Sequence, residues 1–202
     1  MAVQGIGDIL YGYGAGIYLN ITNRCPCSCD FCIRHMTDAL GGADSLWLKR
    51  EPTVSEVIEE MKKWDLSGPG ELVFCGYGEP LVRLDDVLLL CQWIKTNTGR
   101  RTRVNTNGLS DLIHKKETAP MLAGYFDAVS VSLNAPTAQA YNALCHPEFG
   151  EASFDAILHF TREVKKVVPD VTMSVVSVIS GPEIEACRRI AQDDLGVQFR
   201  VR

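Results

Sequence analysis

Four cysteines within eight residues form the densest group of reactive side chains in the sequence. They stand at Cys25, Cys27, Cys29 and Cys32, whereas the remaining four cysteines are scattered singly. A reduced intracellular chain of this length does not need disulfides for stability. Thiolates at such short spacing are typical metal ligands. This segment, residues 25–32, is called the cysteine loop below, and it predicts a metal site.

The spacing of the thiols leaves two kinds of metal site open. The C-x3-C-x2-C pattern of Cys25, Cys29 and Cys32 can hold three irons of a cubane cluster. Because four cysteines usually bind such clusters, the fourth iron would stay open to another molecule. Alternatively, Cys27 supplies the fourth thiolate of a tetrahedral zinc site. Pro26 beside Cys27 makes a four-cysteine zinc loop cramped, which favours iron with Cys27 as a bystander.

Three further polar motifs stand directly after predicted strands. They are Gly76-Tyr-Gly-Glu-Pro80, Asn105-Thr-Asn107-Gly108 and Ser132-Leu-Asn134. The cysteine loop likewise follows a predicted strand. Barrel folds of parallel strands place their chemistry at the carboxyl ends of those strands. We therefore expect the motifs and the cysteine loop to serve the same site.

Short β-rich runs alternate with segments of helical period, which is typical of βαβ units and a parallel sheet. Apolar residues recur at helical spacing over residues 54–61, where Thr53 and Glu56 form a capping box. The same periodicity predicts helices over 84–91, 154–161 and 184–190. The six predicted strands are Ile17–Thr22, Leu72–Cys75, Thr102–Asn107, Ala128–Asn134, Thr172–Ile179 and Val197–Arg202.

Polar and apolar residues alternate along the predicted strands. Val129, Val131 and Leu133, for example, alternate with Ser130 and Ser132. A sheet covered by helices on both faces would instead show near-continuous hydrophobic runs. Because crossover helices cover the apolar face, the polar side chains must line the other one. The sequence thus predicts an α/β fold, a single-domain partial (β/α)6 barrel with a polar lumen.

Composition limits the classes of protein that remain. The chain has 202 residues, of which 46% are hydrophobic and 22% charged, so it predicts one globular domain over 1–202. A net charge of -5 gives no basic footprint, and no nucleic-acid partner is expected. No apolar stretch approaches the roughly 20 residues that cross a bilayer. The first basic residue is Arg24, so we expect no secretory signal and a cytoplasmic location.

Taken together, the motifs resemble the radical S-adenosylmethionine (radical SAM) superfamily. The resemblance implies that Cys25, Cys29 and Cys32 bind a [4Fe-4S] cluster, whose open iron chelates S-adenosylmethionine. It also implies that backbone carbonyls of the Gly76–Pro80 element receive the methionyl amino group. The cofactor-binding positions that it assigns are Phe31, Gly76, Tyr77, Gly78, Glu79, Pro80, Asn105, Asn107, Ser132, Asn134, Ile179, Arg200 and Arg202.

The match to the superfamily pattern is incomplete at two places. Tyr77 stands between two glycines where many members have no extra residue. Near the fifth strand, Ile179 and Gly181 match the pattern, but Ser177 replaces its first glycine and the expected acid falls at position 183 or 185. The cofactor-binding roles near the fifth predicted strand are therefore only weakly indicated by the pattern. No catalytic residue is assigned.

The resemblance implies reductive cleavage of S-adenosylmethionine to a 5'-deoxyadenosyl radical that acts on an unidentified small polar or nucleoside-like substrate. One alternative is an activating enzyme that abstracts hydrogen from a partner protein. The other is a non-catalytic iron-sulfur or zinc protein, which would not require Gly76–Pro80 or Asn105–Asn107. The sequence shows no further cysteine cluster for an auxiliary iron-sulfur site.

Within the superfamily, the whole chain resembles the small radical SAM proteins named for their association with TatD-family nucleases. Segments Phe74–Pro80, Val131–Pro136 and Phe199–Arg202 carry this closer resemblance. It implies a low-potential electron donor, such as flavodoxin or ferredoxin, and an association with a TatD-family protein. It assigns no substrate.

The segment between the cysteine loop and the first predicted helix is too long for an ordinary connection. We expect Arg34–Glu51 to act as a lid that ligand binding orders, with Gly41 and Gly42 as a hinge and Leu46, Trp47 and Leu48 as an apolar cover. Cys91 and Cys187 occupy apolar positions of predicted helices and are expected in the core.

Overall fold

The computed structural model describes residues 6–202, so the first five residues of the predicted domain lie outside it. Seven strands form one sheet in chain order. They are β1 (Leu10–Tyr13), β2 (Gly16–Leu19), β3 (Leu72–Phe74), β4 (Thr102–Thr106), β5 (Ala128–Ser132), β6 (Asp170–Val175) and β7 (Gln198–Val201). Every predicted strand is present, usually shorter than expected. The predicted α/β class and mostly parallel sheet are confirmed, with one strand more than the predicted six.

The additional strand is β1, which pairs with β2 in an antiparallel hairpin. Tyr13 is opposite Gly16, so only Gly14 and Ala15 form the turn, and Gly14 has a φ of 58°. A short hairpin turn needs left-handed backbone, which glycine adopts without steric cost. The glycines at 12, 14 and 16 interrupt the apolar alternation, and for this reason the sequence pattern did not predict the strand.

The helices are α1 (Val54–Met61), α2 (Leu84–Asn97), α3 (Ser110–His114), α4 (Ala138–Cys145), α5 (Ala152–Val164) and α6 (Gly181–Arg189). The capping box of Thr53 and Glu56 begins α1 as predicted. α4 was not predicted, because its sequence is short and only weakly periodic. None of the helices within residues 6–202 has both the length and the apolarity needed to span a membrane.

The described residues divide into two compact units. The first comprises the chain up to Cys25 together with Ile33–Val104 and Tyr125–Asp127, and the second comprises Pro26–Cys32, Asn105–Gly124 and Ala128–Arg202. In the first unit β2 pairs with β3 and β3 with β4, all parallel. The register places Leu19, Phe74 and Val104 on one face, and all three are fully buried. That face forms the core of the first unit.

The second unit shows the predicted alternation of polar and apolar faces. β5, β6 and β7 are parallel, and their register aligns Ser132 with Ser174 and Ser174 with Arg200. The neighbouring positions Val131 and Met173 lie on the opposite face and are fully buried. The two-sided character of these strands is therefore confirmed. Closure into a partial barrel and an enclosed lumen stay predictions.

Candidate radical SAM site

The cysteine loop presents its thiols unequally. None of the four forms a disulfide with another residue of 6–202, and Cys25, Cys29 and Cys32 are half-buried. Cys27 is only 6% exposed. The thiol predicted to be a bystander is thus the buried one, and the assignment of the other three as iron ligands stays a prediction. Within residues 6–202, no three or more His, Cys, Asp and Glu side chains are arranged to hold a single metal ion.

The buried thiol of Cys27 has two polar neighbours in the second unit. Its Sγ lies 3.8 Å from the Tyr141 hydroxyl and accepts a hydrogen bond from Asn107 Nδ2, also over 3.8 Å. Burial, followed by the nearby cysteine thiols, raises the pKa of Tyr141 well above its ordinary value. The phenol therefore stays protonated at neutral pH. These contacts give Cys27 a packing role and support its assignment as a bystander.

The end of α4 holds the backbone of the cysteine loop. Ser28 N donates to Cys145 O over 3.0 Å, and Asp30 N donates to Leu144 O over 3.1 Å. In the reverse direction, Glu148 N donates to Pro26 O over 2.8 Å. Helix ends leave their last carbonyls without intrahelical partners. Here those carbonyls accept hydrogen bonds from the loop that carries the predicted cluster ligands.

A side-chain contact adds to this backbone connection. His146 ends α4 in the left-handed region, with φ at 44°. Its Nε2 lies 2.8 Å from Asp30 Oδ1. Asp30 stands between Cys29 and Cys32, so the contact reaches the part of the loop that carries two predicted ligands. From the sequence, Cys145-His146 is either a loop pair without a function, which is favoured, or a hydrogen donor or substrate contact. The structure instead places Cys145 at the end of α4.

In the first unit, charged and polar side chains surround Arg24, the residue before Cys25. Glu51 Oε1 accepts hydrogen bonds from Thr22 Oγ1 and Arg24 Nε, each over 2.6 Å. Arg24 Nη2 donates to the other carboxylate oxygen over 3.0 Å. Burial raises the pKa of Glu51, but the hydrogen bonds from Arg24 and Thr22 outweigh it and hold the pKa below its ordinary value. The carboxylate therefore fixes Arg24 while ionised.

The Gly76–Pro80 turn packs against the chain that follows β2. A Cβ on Gly76 would lie 2.1 Å from Asn20 Oδ1, and one on Gly78 would lie 2.4 Å from the Thr22 carbonyl oxygen. Such distances are too short for any side chain, so both positions need glycine. Glu79 N also donates to Arg24 O over 2.8 Å. The turn is thus joined to the residue that precedes Cys25.

Glu79 and Tyr77 turn their side chains into the first unit. The buried Glu79 carboxylate accepts a hydrogen bond from Leu81 N over 3.0 Å and caps the short 3-10 helix Pro80–Arg83. Tyr77 packs in a cluster with Tyr11 and Leu46. These contacts explain both side chains structurally. If Tyr77 contributes to cofactor binding, its backbone does so.

Residues 34–51 belong to the first unit and contact the rest of it at several points. The Tyr77 hydroxyl donates to the Thr37 carbonyl. The Asn20 and Asn23 side chains donate to the carbonyls of Leu46 and Leu48, over 2.8 and 2.7 Å. Both leucines are buried in the first unit. That ligand binding orders this segment as a lid stays a prediction.

The expected hinge of this segment is also packed. A Cβ on Gly41 would lie 2.3 Å from the Gly12 carbonyl oxygen, and Gly42 N donates to the same oxygen over 3.0 Å. The hinge residues therefore rest on β1. Trp47 alone of the three predicted cover residues is exposed.

The strand ends of the second unit carry two buried amide oxygens. Oδ1 of Asn105 and Oδ1 of Asn134 have no hydrogen-bond partner among the described residues. Asn134 is 4% exposed and has a φ of 59°, a conformation that asparagine tolerates better than most residues. A buried acceptor without a donor costs about 1 to 3 kcal/mol. Two such oxygens can accept hydrogen bonds from ribose hydroxyls or an ammonium group, which fits S-adenosylmethionine.

The two arginines near the end of β7 lie beside serines of β5. Arg200 Nη2 donates to Ser130 Oγ over 3.4 Å, and Arg202 Nη2 donates to Ser132 Oγ over 3.1 Å. Arg200 thus shares the polar face of the second unit by register, as alternation predicted. A guanidinium group beside serine hydroxyls suits a carboxylate ligand, the role that the resemblance implies for Arg200 or Arg202.

The motif near the fifth predicted strand, which is β6 in the structure, is explained in part by the start of α6. Ile179 is half-buried in the turn after β6. Glu183 accepts hydrogen bonds from Ser180 N and Ser180 Oγ, over 2.9 and 2.7 Å, and so caps α6. Its carboxylate is therefore occupied by the helix start.

Other predicted positions have varied surroundings. Phe31 is half-buried in the cysteine loop. Asn107 Oδ1 accepts a hydrogen bond from Leu109 N over 3.0 Å, so this asparagine supports the turn after β4 as well as Cys27. Cys91 and Cys187 are fully buried, as expected for core residues, and burial raises the pKa of Cys187 to about 12.

One cavity lies away from all of these residues. It measures about 320 Å³ and is lined by Lys95, Gly99, Arg100, Arg101 and Asp127. Arg101 and Asp127 immediately precede β4 and β5, so the cavity is at the amino ends of strands. None of the predicted site residues lines it.

Comparison with known proteins decides the family. The family model described as the radical SAM superfamily matches residues 19–193. The chain belongs to this superfamily. The cofactors of this superfamily, a [4Fe-4S] cluster and S-adenosylmethionine, are those that the sequence resemblance implied. Radical SAM enzymes also need a reductant and a substrate.

Individual relatives are longer than this chain. A probable dual-specificity RNA methyltransferase RlmN from Prochlorococcus marinus is 33% identical over 105 residues, which is 49% of this chain and 26% of the relative. A radical SAM methyltransferase from Sphaerobacter thermophilus is similar with a TM-score of 0.65 at 18% identity, covering 95% of this chain and 57% of that one. The AdoMet-bound structure of anSMEcpe has a TM-score of 0.60 at 18% identity, covering 91% and 50%. The chain thus spans a quarter to somewhat over half of these relatives.

Proposed function

We propose that this chain reductively cleaves S-adenosylmethionine at a [4Fe-4S] cluster bound by Cys25, Cys29 and Cys32. The observation that carries the proposal is the pair of buried amide oxygens of Asn105 and Asn134, which lack protein donors among residues 6–202. A polar cofactor at these strand ends would supply the missing donors. A structural metal clip would not require them.

When bound, the cluster and S-adenosylmethionine supply one-electron cleavage that yields a 5'-deoxyadenosyl radical. The protein supplies orientation and exclusion of competing hydrogen donors. In this proposal the Gly76–Pro80 turn offers backbone carbonyls to the methionyl amino group. Asn105 and Asn134 accept hydrogen bonds from the cofactor, and Arg200 or Arg202 pairs with its carboxylate.

The polar face of β5, β6 and β7 supports a small polar or nucleoside-like substrate. Ser132, Ser174 and Arg200 share that face by register and present hydroxyl and guanidinium groups. Such groups select ligands that can form several hydrogen bonds. Hydrogen abstraction from a partner protein is the outcome to expect if no small molecule stimulates cleavage.

The finer assignments also belong to this proposal. Resemblance of the whole chain to TatD-associated radical SAM proteins supports an association with a TatD-family protein and a flavodoxin or ferredoxin as electron donor. Reduced thiols in the cysteine loop are consistent with the predicted cytoplasmic location.

Methyl transfer is a second candidate activity. Two relatives carry the word methyltransferase in their names, and the RlmN-like similarity covers about half of this chain. A methyl transfer to RNA would contradict the expectation of no nucleic-acid partner, which rests on the net charge of -5. The products distinguish the candidates. Reductive cleavage alone releases methionine and 5'-deoxyadenosine, whereas radical methyl transfer releases S-adenosylhomocysteine as well, from the molecule that donates the methyl group.

Anaerobic reconstitution followed by product analysis tests the proposal. The reduced protein should release 5'-deoxyadenosine slowly with S-adenosylmethionine alone and faster with fractions of cell extract that contain substrate. The Cys29→Ala variant should release none. A protein that forms the cluster but never cleaves S-adenosylmethionine, with extract or without, would disprove the proposed activity.

A further inference from the structure

The cysteine loop and the end of α4 satisfy each other's backbone hydrogen bonds. Leu144 and Cys145 are the last two residues of α4, and their carbonyls have no acceptor role inside the helix. They accept hydrogen bonds from Asp30 N and Ser28 N, over 3.1 and 3.0 Å. Alternate amides of the loop are thus directed at the helix end.

The loop is held at a third and a fourth point. Glu148 N donates to Pro26 O over 2.8 Å, just beyond the end of α4. The buried thiol of Cys27 lies beside the Tyr141 hydroxyl one turn earlier in the helix. The contacts therefore span Pro26 to Asp30, and none of them uses a predicted cluster ligand.

His146 completes the attachment through its side chain. Its left-handed backbone, with φ at 44°, ends the helix. Its Nε2 lies 2.8 Å from the Asp30 carboxylate, while both side chains remain at least half exposed. A contact between two exposed side chains adds little to global stability. Because Asp30 stands between Cys29 and Cys32, we expect the contact to act locally, on the conformation of the cysteine loop.

We propose that the end of α4, residues 141–146, is a clasp that shapes the cysteine loop before the cluster binds, with Asp30 and His146 as positioning residues. The statement about the cluster rests on the proposed function. Ordering a flexible loop costs free energy for each residue fixed. Because the clasp orders the loop when the protein folds, cluster binding does not have to supply the free energy of ordering it.

Hydrogen exchange of the cluster-free protein tests the clasp without any cofactor. The amides of Ser28 and Asp30 should be protected in the wild-type chain, since both donate to α4. Asp30→Ala and His146→Gly should each raise exchange at these amides by up to about fivefold, which corresponds to about 1 kcal/mol of local opening. Glycine keeps the left-handed backbone at position 146, so this variant removes only the ring.

A matched control separates the clasp from general loss of stability. His159→Ala removes an exposed histidine from α5 and should leave the exchange of Ser28 and Asp30 unchanged. The Asp30→Asn variant keeps an oxygen that can accept from His146 and should restore most of the protection. Unprotected Ser28 and Asp30 amides in the folded wild-type chain would overturn the proposal. Equal protection in all variants would overturn the role of the side-chain pair.

The loaded protein gives the second measurement, the rate at which a chelator removes iron. Asp30→Ala and His146→Gly should lose the cluster several-fold faster than the wild type at equal thermal stability, and Asp30→Asn should lose it at nearly the wild-type rate. The double variant should be no faster than the single ones, because the two residues form one contact. Additive single effects would contradict the pairing. A wild type that protects the loop but never takes up iron would refute the proposed function and leave the clasp standing.

Discussion

The two ends of the cysteine loop are held by different kinds of interaction. At its start, in the first unit, the residue before Cys25 is fixed by charged side chains, with Glu51 accepting from Thr22 and Arg24. Farther along, in the second unit, backbone amides bind the carbonyls that end α4. Charged pairs weaken with salt and acid, whereas backbone bonds at a helix end do not depend on charge. The loop therefore has a start fixed by charged side chains and a remainder held mainly by backbone hydrogen bonds, to which the Asp30–His146 contact is added.

The largest effect expected from this contrast concerns the cysteines themselves. Alanine at Cys25, Cys29 or Cys32 should abolish the four-iron cluster, because each removes a ligand that no neighbour replaces. Cys27→Ala should retain it, since the Cys27 thiol is buried against Tyr141 and Asn107. Iron and sulfide analysis of the four purified variants measures this. Loss of the cluster in Cys27→Ala with retention in any other variant would show that the ligands are misassigned.

The second effect concerns the close packing of the Gly76–Pro80 turn against Thr22 and Arg24 in the first unit. Gly78→Ala should destabilise the fold by about 1 to 3 kcal/mol or more, as overpacked positions do. The added Cβ would meet the carbonyl oxygens of Thr22 and Arg24 at 2.4 and 2.6 Å. Gly12→Ala is the control, because a Cβ there has no atom within 4 Å. Urea unfolding compares the two variants, and similar midpoints would show that the turn can move away.

The third effect concerns the second unit, where we expect the side-chain amide of Asn134, and not a tight turn, to contribute to cofactor affinity. Asn134→Gly should weaken S-adenosylmethionine binding roughly five- to a hundredfold, the equivalent of 1 to 3 kcal/mol for a lost buried hydrogen bond. Glycine retains the left-handed backbone at this position. Lys115→Gly, another residue with positive φ, should leave the affinity unchanged. Calorimetric titration under anaerobic conditions measures both, and equal affinities would remove Asn134 from the site.

The smallest effect concerns pH. Since the pKa of Glu51 is lower in the folded chain than its ordinary value of 4.5, its contribution to stability is present above pH 4.5 and is lost as the pH falls through the folded value. Glu51→Gln should therefore be less stable than the wild type at pH 7, by about 1 kcal/mol or less for so exposed a network, and the difference should shrink towards pH 3. Unfolding curves at both pH values, in low and high salt, give the comparison. A difference that persists in acid would assign the effect to hydrogen-bond geometry instead of charge.

Much of the fold was predictable from local sequence patterns. Alternation along β5 to β7 predicted the polar and apolar faces, and the register bears this out. The capping box of Thr53 and Glu56 predicted the start of α1. Both signals are contained in a few neighbouring residues, so no long-range information was needed.

The features that escaped prediction depend on contacts far apart in sequence. Asp30 and His146 are 116 residues apart, and nothing in either neighbourhood indicates the pair. Glu51 joins Arg24 across 27 residues in the same way. The segment 34–51 is predicted to be a lid because its length and glycines are visible in the sequence, whereas the side chains that donate to its carbonyls belong to Asn20, Asn23 and Tyr77. Only the fold brings those partners together.

The β1–β2 hairpin also has a consequence for the order of folding. Its strands are joined by two residues, so the pair can form within about 1 to 10 μs, as hairpins do. The parallel pairing of β2 with β3 must wait until the chain between Leu19 and Leu72 has closed, which is slower because loop-closure entropy comes first. Strand β2 therefore enters the nascent sheet with one side already paired. It can accept β3 only on the other side, so this early hairpin reduces mispairing while the slower contacts form.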